Sequence, residues 1–331
     1  MTAPSEHGTR ERATEVLADA ARASLHAPSV FNTQPWRWRI TGDTMALYAD
    51  PARKLDATDP DGRLLLLSCG TALHHARVEL AAAGYRPQVL HQPDPLDPHL
   101  LATVTLGEPG NPDPRAERLA AAIPRRRTDR RAYGDRTVPE SVLAGLRNAV
   151  EAEGAYLHVV RRDQMPMLAA STGRAADTEA EDPAYRAELE HWTHRPEGSG
   201  DGVPASAAVQ PSARRVPVRD YAPDGNAGLD PGDGYDLGAA FVVLFGLTDR
   251  PADVLRGGEA MSALLLGATA EGLATAPLSD MIEVDWPRHL LRELLAGVGE
   301  PYVVVRLGYL DADPLPATPR RAAADVIEIV E

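Results

Sequence analysis

Cysteine is almost missing from these 331 residues: Cys69 stands alone. That excludes an intrachain disulfide and leaves a cysteine-based zinc site without ligands. Cys69 lies in the apolar helical pattern LLLLSCGTALHHA and reads as a small core residue. No apolar run approaches the ~20 residues of a membrane span, and residues 1–12 lack the apolar stretch of a secretory signal. The expectation is a cytoplasmic protein without a membrane partner. Lysine is equally scarce, with Lys54 the only one among 34 basic residues. A net charge of −14 leaves no broad cationic surface to track a phosphate backbone, so a nucleic-acid partner is not expected and any anion site must be local. Aromatics are 5% of the chain, yet Phe31, Trp36 and Trp38 fall together in SVFNTQPWRWRI (residues 29–40), beside Asn32, Gln34 and Pro35. Read alone, that stretch is a helix exit, a proline turn and an amphipathic strand with both tryptophans on one face.

What is present organises itself around a faint repeat. Residues 69–85 (CGTALHHARVELAAAGY) align without a gap over residues 257–273 (GGEAMSALLLGATAEGL), at an offset of 258 − 70 = 188. Gly70 meets Gly258, Ala72 meets Ala260, Ala82 meets Ala270 and Gly84 meets Gly272. Both read as central, buried helices closed by a glycine, and each is followed by a β-branched strand, residues 100–108 and 302–309. A helix at 11–25, a strand at 36–40 and its hairpin partner at 45–49 belong to the first copy; a helix at 140–153 and a strand at 155–161 belong to the second. The pattern predicts an α+β chain in two halves, 1–122 and 123–331, packed like the subunits of a dimer. Residues 193–237 are rich in proline and glycine and lose all periodicity. A loop that long is a lid, a binding loop or a disordered insertion, and its Arg214, Arg215 and Arg219 either touch a ligand or solvate it.

Three further stretches carry chemistry. RRRTDRR (residues 125–131) packs five arginines and a hydroxyl into seven residues, enough to grip a phosphate or simply a solvated charge run. Arg320 and Arg321 follow a proline-stiffened turn in LPATPRRAAADVI. In GLATAPLSDMIEV (residues 272–284) a proline-containing segment frees main-chain N–H groups to meet a flat heterocycle, or is an ordinary helix-to-strand connection.

In that order along nearly the whole chain, APSVFNTQPW, RRTDRRAY, GLATAPLSD, LGY and TPRR resemble the nitroreductase-like flavoprotein superfamily. The doubled architecture and HWTHRPEGSGDGVP (residues 191–204) are similar to its single-chain, lidded, dormancy-associated Acg-type subgroup. The resemblance implies an FMN held between the two halves. Pro28, Ser29 and Val30 would lie against its ring, with Asn32 and Gln34 as amide contacts or as braces of the turn. Arg126, Thr128 and Arg130 match the phosphate-binding arm, closed by Arg320 or Arg321. Pro277, Leu278, Ser279 and Asp280 match the segment whose backbone approaches flavin N5. The second half lacks the APSxxNTQPW turn and the first lacks the arginine arm, so one flavin per chain is implied, in a monomer. The implied activity is FMN-dependent hydride transfer from a donor such as NAD(P)H to a small acceptor, a nitro compound or quinone. The alternative is a protein that sequesters FMN beneath its lid with little turnover.

Overall fold

The computed structural model describes residues 6–196 and 198–330; Met1–Ser5 of the opening segment, Glu197 within the 191–204 stretch, and Glu331 lie outside the described residues. The first part of the chain runs α1 (Glu6–Ser24), β1 (Trp36–Thr41), β2 (Thr44–Ala49), α2 (Arg63–Ala82), β3 (Gln88–His91), β4 (Leu100–Thr105) and α3 (Pro114–Ala120). The rest runs α4 (Glu140–Ala152), β5 (Tyr156–Val159), α5 (Met165–Glu181), α6 (Pro183–Thr193), β6 (Ala240–Gly246), α7 (Pro251–Ala270), β7 (Ala274–Leu278), α8 (Asp280–Glu283), α9 (Asp285–Leu294), β8 (Glu300–Gly308) and β9 (Ile327–Val330).

The strands form two sheets, ordered β3-β4-β2-β1-β9 and β5-β6-β8-β7. In β1, alternation sends Trp36, Trp38 and Ile40 inward, and a two-residue turn with Gly42 at φ 60° returns the chain as β2. Opposite them, Met45 and Leu47 complete a core shared with Leu17 of α1 and Leu73 of α2. In the second sheet β8 is buried along nearly its whole length, because β6 and β7 flank it on both sides. The sequence pattern did not mark β9. Four residues pair parallel to β1, carrying the end of the chain back to the first sheet.

Between the sheets α2 and α7 cross at their glycines. A Cβ on Gly70 would sit 2.0 Å from the Leu255 carbonyl oxygen, and one on Gly258 would sit 2.1 Å from that of Leu67. The two contacts are reciprocal under the same offset, 258 − 70 = 255 − 67 = 188, as an isologous interface requires. His74 Nδ1 likewise lies 2.8 Å from Ser262 Oγ, its partner under that offset.

After Thr193, the last residue of α6, the described residues up to 237 contain a short 3-10 turn, Ala205–Ala207, an isolated bridge between Val209 and Leu229, and no other helix or strand. The stretch is nonetheless packed: Val203, Ala207, Ala208, Tyr221 and Ala222 share a small core with Phe31, Leu55, Tyr185, Leu189 and Trp192. Its first bend is pinned by Asp201, which accepts from Arg53 at 2.9 Å and Arg195 at 2.7 Å.

Candidate functional site

The turn between α1 and β1 holds an unusual backbone. Phe31, Asn32 and Gln34 have φ of 51°, 55° and 50°, a region that costs a non-glycine residue roughly 1–3 kcal/mol. Side chains hold it there. Ser29 Oγ accepts from Gln34 N at 2.8 Å, and Thr33 Oγ1 donates to the Val30 carbonyl at 3.0 Å. Both amides face protein backbone. Asn32 Nδ2 donates to the carbonyls of Gly202 and Pro319, and Gln34 Nε2 donates to those of Gly200 and Asn32. Asn32 Oδ1 accepts from Arg320, and Gln34 Oε1 accepts from Arg321 N. The two side chains therefore tie the loop and the C-terminal tail to the turn. Trp36 and Trp38 are core residues, with Trp38 Nε1 donating to Ser24 Oγ at 2.8 Å.

Behind this turn lies a cavity of about 60 Å³. Pro28, Ser29 and Val30 line one side; Thr128, Arg130, Pro277 and Ser279 line the other. Pro277 suits its position, because β7 is a sheet edge whose outward side needs no N–H beyond the Thr128–Thr275 bridge. The segment is thus a helix-to-strand connection that also forms a cavity wall. Leu278 is buried in the core beneath it, and Asp280 is buried beyond it, its carboxyl pushed up to about 6 by burial. One residue of the loop, Tyr221, also lines the cavity. Tyr221 meets Phe31 edge-on at 5.9 Å and carries the Arg130 guanidinium on its face at 4.2 Å. Arg219 anchors that part of the loop between Glu179 at 3.0 Å and Glu283 at 2.6 Å, whereas Arg215 is exposed and Arg214 donates to the Pro231 carbonyl.

A cationic cluster gathers around His26. Arg126, 4% exposed, has its Nη2 3.5 Å from the His26 carbonyl oxygen, while its Nε and Nη1 are buried without partners. Arg320 donates to the same carbonyl at 3.2 Å, and its Nε is also unpaired. Arg127 donates to the carbonyls of Leu315 and Pro316. None of the three pairs with a carboxylate among the described residues. Burial, then Arg320 and Arg127, push Arg126 down to about 9; burial and Arg127 push Arg320 down to about 10. Buried guanidinium groups without counter-charge are costly, and such a cluster is chemically a receptor for an oxyanion.

The remaining arginines of the 125–131 run do other things. Arg125 is exposed, and Arg131 forms a two-pronged pair with Asp129 at 3.0 and 2.7 Å. Arg321 turns away from the cluster to the carbonyls of Gln34 and Trp36 and to Asp50 at 3.5 Å. Sequence reasoning missed the contribution of α2. Leu64, Leu67, Ser68 and Thr71 line the cavity at helical spacing, and Thr71 Oγ1 donates to the Pro28 carbonyl at 2.7 Å. It also missed Phe31 and Tyr221; periodicity marks an apolar stripe but not which part of it faces a cavity.

No family model matches the chain. Among curated proteins, "Putative NAD(P)H nitroreductase Rv3131" of Mycobacterium tuberculosis is 40% identical over 98% of this chain and 94% of its own length. "Putative NAD(P)H nitroreductase acg" of the same organism is 37% identical over 96% of each chain. The chain belongs to the nitroreductase family. Similar solved structures include a nitroreductase with bound FMN from Bacteroides fragilis, 18% identical over 64% of this chain and 98% of that one, with a TM-score of 0.40. The FMN- and NADPH-dependent nitroreductase NfnB from sphigopyxis sp. is 16% identical over 63% and 97%, also with a TM-score of 0.40. This nitroreductase-family chain has the α+β fold expected from its sequence, and no helix among its described residues is long and apolar enough to cross a membrane.

Proposed function

We propose that the chain is a flavin-dependent oxidoreductase that holds one FMN and passes electrons from NAD(P)H to a small nitro compound or quinone. The observation that carries this reading is the carboxylate-free cluster of Arg126, Arg127 and Arg320, in which the buried, unpaired N–H groups of Arg126 and Arg320 suit a phosphate. The cavity wall fits the rest of the group. Pro28, Ser29 and Val30 would face one side of a flat ring, Pro277 and Ser279 the other, with Leu278 and Asp280 fixing the backbone of that segment. Thr128 and Arg130 would lie between ring and phosphate, Asn32 and Gln34 would hold the turn, and Arg321 would brace it. When bound, the flavin supplies hydride chemistry at N5; the chain's residues bind it, orient it and exclude water. The donor and the flavin itself are carried over from the names of relatives and similar structures.

The internal-dimer reading belongs to the same proposal. The reciprocal Gly70–Gly258 crossing supports two halves, 1–122 and 123–331, standing in for two subunits, so that a cytoplasmic monomer would suffice. A second reading has its own support. The cavity of about 60 Å³ has room for a few waters, and Tyr221 lines it from a loop anchored by Arg219. A ring could enter only after the loop moved, which favours a protein that retains flavin and turns over slowly.

Flavin released by denaturation, measured against protein, should give a ratio of one; a ratio near two would defeat the asymmetric site. Anaerobic NADPH should bleach the bound flavin and a nitroarene should restore it. Bleaching by dithionite but not by nicotinamide would favour retention, and a chain that takes up no flavin would refute both readings.

A further inference from the structure

The sequence LHHA in α2 plays no part in the site so far described. Leu64, Leu67, Ser68 and Thr71 face the cavity, and His75 is the next residue on that stripe, one turn beyond Thr71. Eleven residues separate Leu64 from His75 (75 − 64), about 16 Å of helix at 1.5 Å per residue. The stripe therefore leads from the apolar cavity to the arginine cluster.

His75 is fully buried, and its Nδ1 lies 2.9 Å from the Thr71 carbonyl oxygen, which can only accept. Nδ1 therefore carries the ring proton and Nε2 is bare. Ser262 Oγ of α7 lies 2.9 Å from the same Nδ1 and 2.8 Å from His74 Nδ1. Nε2 itself is buried with no partner. The charged and titratable groups that act most on the ring are Arg126, His74 and His26, and Glu153 stands 3.7 Å from the neighbouring His74. Burial first, then Arg126, keep the ring neutral, well below the ordinary histidine range. Thr71, one turn before His75, donates to the Pro28 carbonyl, and Arg126 reaches the carbonyl of His26, two residues before Pro28. The unpaired imidazole lone pair thus belongs to the part of α2 that packs against the turn held by Arg126, whose own Nε and Nη1 are unpaired.

We infer that His75 is a further residue of the anion site: its Nε2 takes up a proton from solvent as a phosphate settles beside Arg126, and then donates a hydrogen bond to it. The inference rests on the flavin reading of the same site. Without the phosphate the field of Arg126 opposes an imidazolium; a phosphate carrying about −1.5 to −2 reverses the sign of that field. FMN affinity should then fall as pH rises through the imidazolium pKa of the complex, because binding takes up a proton between the free and bound values.

The test is calorimetric titration of the apo chain with FMN at pH 7.5 in buffers of different ionisation enthalpy. There the phosphate, with a second pKa near 6, is already largely dianionic. The wild-type chain should take up about one proton with FMN and none with riboflavin. His75→Gln should take up none and bind FMN roughly ten- to a hundredfold more weakly, with riboflavin affinity unchanged as the check on folding. His26→Gln should keep the proton. An undiminished proton count in His75→Gln, or a loss of affinity with the count unchanged, would overturn the inference. Should His75→Gln not fold, the imidazole nitrogen resonances of the wild-type chain decide: a neutral His75 ring in the FMN complex refutes the assignment. Binding of neither FMN nor riboflavin to the wild-type chain would defeat the flavin reading and this inference with it, whereas FMN binding without His75-dependent protons would defeat the inference alone.

Discussion

Replacing Arg126 with Met should move stability and ligand affinity in opposite directions. The guanidinium is buried beside Arg320 and Arg127, makes one long contact to the His26 carbonyl, and leaves Nε and Nη1 without partners. Burial and the neighbouring arginines pull its pKa down to about 9, and at about 1.4 kcal/mol per tenfold this corresponds to a few kcal/mol against the charged form. The sign follows from linkage. The folded pKa lies below the unfolded one, so the destabilisation is fully present below about 9 and is relieved only as pH rises above it. Methionine fills similar volume without charge, and even buried charges that are paired yield about 1–4 kcal/mol when exchanged for packed apolar side chains. Urea unfolding of the apo Arg126→Met chain near pH 7 should therefore show a gain in that range with an unchanged m-value. FMN should bind at least about 100-fold more weakly, as expected from losing a charge-assisted pair, while riboflavin changes little. A variant that is less stable and loses FMN and riboflavin equally would refute the reasoning and make Arg126 a structural residue.

Gly258→Ala should cost more than about 3 kcal/mol or prevent folding, because its Cβ meets backbone at 2.1 Å, whereas Gly145→Ala, with nothing within 4 Å in α4, should gain about 0.5–1 kcal/mol; equal effects in thermal unfolding would contradict the helix crossing. Glu179, buried beside Arg219 and Glu283, has its carboxyl pushed up to about 8. The folded state thus keeps a proton that the unfolded chain has lost above 4.5, so this group makes stability fall by up to about 1.4 kcal/mol per pH unit between about 4.5 and 8. Glu179→Gln should flatten that slope in urea titrations, and an unaltered slope would place the proton elsewhere. Tyr221→Ala should speed the association of FMN and riboflavin alike in stopped-flow fluorescence; unchanged rates would mean that the Tyr221 ring does not stand in the ligand's way.

Local pattern was enough to find β1, β2, α4 and the two small-residue helices, because each buries its stripe at its own period. The order of short motifs pointed to the family, whereas the close approach of Gly70 and Gly258 could be read only from the fold, since the alignment paired them as equivalent positions and not as a contact. Other features depend on partners far along the chain. Asn32 and Gln34 read equally well as ligand contacts or braces until Gly200, Gly202 and the C-terminal tail were seen to occupy their amides. Arg320 and Arg321 are adjacent and chemically identical, yet one reaches the His26 carbonyl and the other reaches Asp50. Neighbouring residues of an extended tail point to opposite sides, and only the surface beneath decides which of them joins the arginine cluster. The loop at 193–237 shows no period because its order comes from separate anchors, Asp201, Arg219 and Tyr221, rather than from repeating backbone bonds. Composition and spacing thus determined several of the elements, though not α5, α6, β6, α9 or β9, and that any anion site had to be local. Which arginine N–H groups are left buried without a partner was decided only when the turn at His26, the arm at 125–131 and the C-terminal tail were brought together by tertiary packing.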